Sequence, residues 1–149
     1  MTLLKSKLPE ITLKYKSGET QRVKITDSRA TYDLLKKLYD ADTIEYCESA
    51  IVLFLNRINN TIGWFKVSQG GITGTIIDKR MVLVTALNTG ATSIIISHNH
   101  PSGNLNPSNM DISMTKELKA GCHAIGIDLL DHIIVTADKF YSFTDEGIL

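Results

Sequence analysis

The sequence predicts an α/β fold, a mixed β-sheet covered by helices. Strand-like and helix-like segments alternate along the chain, which is the pattern of sheets packed under helices. Two apolar runs, residues 50–56 (AIVLFLN) and 93–97 (SIIIS), are too continuous for strands wetted on one face and read as buried on both. The length, 149 residues, suits one domain around one core.

Residues 10–15 (EITLKY) and 21–25 (QRVKI) alternate, with Ser17-Gly18-Glu19 between them as a turn, so a β-hairpin is expected. Asp27 or Ser28 can cap a following helix that places Leu34, Leu35 and Leu38 on one face. The run 50–56 is a buried strand. Asn59-Asn60 turn the chain, and residues 61–67 (TIGWFKV) return antiparallel to it. Gln69, Gly70, Gly71 and Gly74 mark a loop. Residues 78–88 (DKRMVLVTALN) have the β-branched content of a strand and the length of a helix. Helix is favoured because Asp78 can cap it and Gly90 can stop it. After the strand at 93–97 comes a turn-rich loop, 101–107, then a helix from about residue 106 to 122. Met110, Met114 and Leu118 form its i, i+4 row, and Gly121 is expected to close it. Residues 125–136 read as a strand pair or one long strand, and 140–143 as a last short one.

Charged residues are 21% of the chain and hydrophobic residues 43%, an ordinary globular balance. Sixteen basic residues balance sixteen acidic ones, but residues 1–40 hold nine of the basic and five of the acidic. A duplex-binding surface needs a denser patch than that, so nucleic acid is a weakly supported partner. The apolar runs are too short to span a bilayer, and no membrane partner is expected. No signal-peptide pattern follows Met1. Cys47 and Cys122 have neither finger nor C-x-x-C spacing, so reduced thiols and a cytoplasmic location are the expectation.

The chemistry concentrates at residues 97–111. His98 and His100 lie at the end of an apolar strand, and side chains two apart in extended chain point the same way. Asp111 falls in the first turn of the next helix. Two imidazoles and a carboxylate make the three-ligand set of catalytic zinc, leaving a fourth position for water. Each residue also has a plainer reading. Asp111 can serve the helix N-terminus alone, Ser108-x-x-Asp111 has the form of a capping box, and Asn106 with Pro107 is an equally good helix start. The same ligand types also describe the non-haem iron triad, but that site sits mostly in all-β barrels. His98-Asn99-His100 also spells an HNH nuclease motif, a coincidence of letters.

His-x-His, seven residues, then Ser-x-x-Asp is the JAMM signature, so the chain resembles the JAB/MPN metalloprotease-like superfamily. HNHPSG at 98–103 with Ser108 and Asp111 resembles the RadC branch within it. Leu53-Phe54-Leu55-Asn56, Ser68-Gln69-Gly70-Gly71 and Leu129-Leu130-Asp131-His132 resemble the same branch. The resemblance covers residues from about 45 to 149. It implies a cytidine-deaminase-like α/β sandwich with one zinc ion per chain held by His98, His100 and Asp111. Residues 43–149 would form the RadC-like JAB/MPN domain, with residues 1–42 packed against it as a hairpin plus helix. The family commonly carries a helix-hairpin-helix segment ahead of this domain, for which residues 1–40 are too short.

The resemblance further implies an upstream glutamate as general base, at Glu48, with Glu45 the alternative. Two positions later the family usually has a large apolar residue; this chain has Ala50. Ser108 would donate to the oxyanion. Asp131 is a candidate for orienting a ligand histidine, though a polar strand-end residue is the plainer reading, and His123 and His132 read as structural or exposed. The implied activity is zinc-dependent hydrolysis of an amide bond in a protein or peptide, as a metallopeptidase or isopeptidase. The alternative is a non-enzymatic, metal-stabilised module associated with DNA repair or recombination.

Overall fold

The first strand along the chain is buried at every position because helices cover both of its faces. The computed structural model describes residues 8–12, 18, 21–70 and 76–149. In chain order these contain α1 (Ser28–Leu38), β1 (Ser49–Leu55), β2 (Thr61–Gln69), α2 (Lys79–Thr89), β3 (Ser93–Asn99), α3 (Asn109–Ala124), β4 (Asp128–Val135) and β5 (Phe140–Ser142). The strands form one sheet in the order β2-β1-β3-β4-β5. Only β3 and β4 run parallel, with α3 as the crossover; the other neighbours are antiparallel. This is the mixed α/β sheet the sequence predicts.

The side-chain period of two divides β1 between two cores. Ile51, Leu53 and Leu55 join Tyr32, Leu35, Tyr39 and Ile44 under α1, while Val52 and Phe54 join Val82, Ala86, Leu118 and Cys122 under α2 and α3. The order is therefore α1, sheet, then α2 with α3. Leu35 is fully buried, and Leu34 and Leu38 pack on the rim of the same cluster. Asp27 caps α1 by accepting from the Ala30 N–H.

Asp78 accepts from the Arg80 and Met81 N–H groups at the start of α2, and Gly90 (φ 66°) ends it in the left-handed region. The caps decide for helix where the apolar pattern could not. α3 departs from expectation at both ends. Ser108, not Asn106, is its N-cap, because Ser108 and the Asp111 carboxylate satisfy each other's backbone N–H. At the other end the helix runs through Gly121 to Ala124, and Gly126 (φ 73°) follows it. Gly121 is instead a point of close approach: a Cβ there would lie 3.3 Å from Leu83 Cδ1 of α2. Of the expected row, Leu118 is buried and Met114 half-buried, but Met110 is 78% exposed.

Residues 13–15 of the expected hairpin lie outside the described residues, as does the glycine loop from 71 to 75. In the second arm Lys24 bridges Asn60, and Val23 exchanges hydrogen bonds with Thr61 at the start of β2. The segment expected at 125–136 is the single strand β4. It carries a register shift opposite Ile94 and Ile95, so Leu129 pairs with Ile94 but Asp131 with Ile95.

Candidate metal centre

His98, in β3, and His100, one residue past its end, lie on the side occupied by Ile94 and Ile96, the side that α3 covers. Their rings converge, with the two Nε2 atoms 2.9 Å apart. Asp111 enters from the first turn of α3, 3.5 Å from His98 Nε2 and 3.7 Å from His100 Nε2. Glu48 arrives from β1. The antiparallel pairing of Ala50 with His98 carries the chain two residues further to Glu48, opposite His100 and on the same face. Its carboxylate is 3.9 Å from His98 Nε2 and 4.0 Å from His100 Nε2. Glu48 is half-buried, whereas Glu45 is exposed in the preceding turn. Ala50 is fully buried opposite His98.

Four groups thus meet at one point, and one ligand atom each of Glu48, His98 and His100 lies within 4.8 Å of the others. Asp111 is the carboxylate nearer to both imidazoles, while Glu48 is the one whose single oxygen lies within 4.8 Å of both imidazole ligand atoms. Glu48 stands a few tenths of an ångström further out.

Hydrogen bonds define which ring nitrogens are available. His100 Nδ1 lies 2.5 Å from the Asn104 carbonyl oxygen, which can only accept, so Nδ1 carries the hydrogen and Nε2 a lone pair. His98 Nδ1 lies 2.7 Å from His132 Nε2. Beyond it, His132 Nδ1 lies 2.6 Å from Thr115 Oγ1, which donates to the Asp111 carbonyl at 2.6 Å. Two nitrogen lone pairs and two carboxylates facing one point repel one another unless a cation or protons sit among them. The 2.9 Å between nitrogens is slightly below the roughly 3.3 Å that two tetrahedral Zn–N bonds of about 2.0 Å enclose. The donor set is compatible with a divalent transition metal such as zinc.

In the metal-free chain the same cluster draws protons in place of a cation. With the imidazoles protonated, burial would raise the Asp111 carboxyl, but His100 and His98 beside it outweigh that and hold the carboxyl far below its ordinary range. The Asp111 bond in turn raises His100. Burial, then the neighbouring His98, pushes His132 well down, so it is neutral.

Asn99 points to the opposite face. Its side-chain amide donates to the carbonyls of Ile44 and Cys47 at 2.7 and 2.8 Å, and its oxygen accepts from the Ser49 N–H at 2.7 Å. One fully buried side chain so pins the turn that delivers Glu48 to the strand that delivers the histidines. Ser108 Oγ accepts from the Asp111 N–H and keeps its own hydrogen for another acceptor.

The chain matches the family described as RadC-like JAB domain over residues 25–148. It belongs to that family. Over 97 residues this RadC-like chain is 50% identical to a UPF0758 protein of Flavobacterium johnsoniae, covering 65% of the chain and 42% of that protein. It is 34% identical to a UPF0758 protein of Aquifex aeolicus over 142 residues, 95% of the chain and 59% of that protein. A third relative, from Porphyromonas gingivalis, is 36% identical over 130 residues, with coverages of 87% and 56%. The chain spans about half the length of these curated relatives.

Asp131 takes the plainer of its two readings, and His132 is buried rather than exposed. Asp131 does not reach a ligand histidine: it accepts from the His132 N–H, Ser142 Oγ and the Thr144 N–H. The register shift in β4 pairs it with Ile95, on the α1 face, and turns His132 to the metal face instead. Thr115 is the residue that sequence reasoning passes over, and His132 reads there only as structural or exposed. Their signal is weak, because neither lies within the signature spacing and a one-residue bulge decides which face His132 occupies.

Proposed function

We propose that this chain is a zinc-dependent hydrolase that cleaves an amide bond in a protein or peptide. The observation that carries this reading is the convergence of two imidazole lone pairs and Asp111 on one point, with Glu48 just outside that set. His98, His100 and Asp111 would hold one zinc ion. Such an ion supplies Lewis acidity toward a carbonyl and lowers the pKa of water at its open position to about 7.

The protein supplies the remainder. Glu48 is close enough to the metal position to take a proton from the attacking water and hand it to the leaving amine, a role that contributes about 10²–10⁴-fold in rate. Ser108, exposed at the mouth of the site with its hydroxyl hydrogen uncommitted in the capping box, donates to the oxyanion that develops on the substrate carbonyl. The Asp111 carboxyl is held far below its ordinary range in the metal-free chain, so it is ionised and able to bind a cation. Both cysteines are free, Cys122 with its thiol pushed up to about 11 by burial, which suits a reducing, cytoplasmic setting. No described helix is long and apolar enough to cross a membrane.

Incubating the zinc-loaded chain with a peptide library and reading new termini by mass spectrometry tests the reading. Cleavage by the wild type that falls at least 100-fold in Glu48→Gln, at unchanged zinc content, is expected. Equal cleavage by that variant contradicts the role of Glu48.

A further inference from the structure

We infer that His132 and Thr115 form a buried, one-directional hydrogen-bond relay that holds His98 in the tautomer able to bind metal, making both of them positioning residues of the metal centre. The inference rests on the metal reading above and adds two residues to it.

The direction of the relay follows from its last member. A main-chain carbonyl can only accept, so at the Asp111 carbonyl the hydrogen comes from Thr115 Oγ1. A hydroxyl has one hydrogen, and Thr115 has spent it. Toward His132 Nδ1, 2.6 Å away, Thr115 therefore accepts, and His132 carries its hydrogen on Nδ1. The other nitrogen of that ring, Nε2, is then a bare acceptor and takes the hydrogen of His98 Nδ1 at 2.7 Å. His98 is left with a lone pair on Nε2, aimed at His100 and Asp111. Once the Thr115 hydrogen lies on the Asp111 carbonyl, each later step follows from the one before it.

The relay is also well insulated. His132 is fully buried and stacked on Phe143 with ring centroids 4.4 Å apart, and Thr115 is buried beneath it. Water has no access to substitute for a missing partner. Because the relay ends on the backbone of Asp111, it ties the ligand from β3 to the ligand from α3. Groups that hold the far nitrogen of a metal-bound histidine typically change metal affinity by about 10–100-fold when removed.

Thr115→Val keeps the shape and removes the hydroxyl. His132 is then free to move its hydrogen to Nε2, His98 Nδ1 becomes an acceptor, and the His98 hydrogen moves to Nε2, where metal must bind. Zinc affinity, measured by competition with a chromophoric chelator, is expected to fall about 10–100-fold in Thr115→Val. Thr115→Ser restores the hydroxyl and should stay close to wild type. His132→Phe keeps the stacking on Phe143 and should fall like Thr115→Val. Wild-type affinity in a folded Thr115→Val overturns the relay. If the wild type itself binds no zinc, the metal reading fails, and ¹⁵N NMR of the metal-free imidazoles decides the relay alone. Hydrogen on His98 Nδ1 in the wild type, mixed in Thr115→Val, supports it; hydrogen on Nε2 in the wild type overturns it.

Discussion

At the scale of single residues, the site is shaped by side chains that bind nothing themselves. Asn99 sits between the two histidines in sequence yet works on the other face of the sheet, where it satisfies two carbonyls and one N–H of the 44–49 segment. Asn99→Asp keeps the size and removes both donors. Leaving two buried carbonyls facing a carboxylate should cost about 3 kcal/mol or more, visible as a lower urea midpoint. A midpoint equal to wild type would show that the amide is not an anchor.

His132 sets a pH dependence in the metal-free protein. Its pKa in the fold lies well below the ordinary 6.5, so below that pH the unfolded chain binds a proton that the native chain does not. Its contribution to stability is present above about 6.5 and is lost as pH falls, by at most about 1.4 kcal/mol per pH unit. His100 acts oppositely and in a different window. Its raised pKa stabilises the fold below 6.5, and that contribution disappears as pH rises through the raised value. Urea midpoints of chelator-treated protein should therefore decline from pH 6.5 toward 5, and His132→Phe should flatten that acid-side decline. An unchanged slope in the variant would remove His132 as its source.

At the scale of elements, β3 and the residue after it bring the two histidines, and the start of α3 must be fixed for Asp111 to meet them. The capping box does this. Ser108 and Asp111 satisfy each other's N–H groups, so the residue that stops the helix from fraying also holds a ligand in place. The capping and ligand readings of Asp111 are thus compatible, since one oxygen faces each imidazole while Oδ2 also accepts from Ser108. Ser108→Ala should cost about 1 kcal/mol of stability by equilibrium unfolding, and Ser108→Thr much less. Full stability in the alanine variant would mean the cap is idle.

For the whole molecule, much of the fold was legible because periodicity and caps agreed. The runs at 50–56 and 93–97 are strands buried on both faces, and Asp78 with Gly90 bounded α2 where composition was ambiguous. What the sequence hid were events that depend on a neighbour. Gly121 has the form of a helix stop but exists to let α2 approach α3. The β4 bulge sends Asp131 to one core and His132 to the other, and no local pattern in residues 128–135 marks it. The convergence of His98, His100 and Asp111 was readable because strand period and helix start place them locally. Glu48 was found by resemblance, and register explains its position afterwards: β1 and β3 run antiparallel, so a residue two before Ala50 lies beside the histidines.

The central claim is that these elements assemble a zinc site, and elemental mass spectrometry of the purified wild type beside His98→Ala tests it most directly. The account predicts about one zinc per wild-type chain after reconstitution and a large loss in a folded His98→Ala. A folded wild type that takes up no zinc, or a variant that keeps the wild-type content, would contradict it.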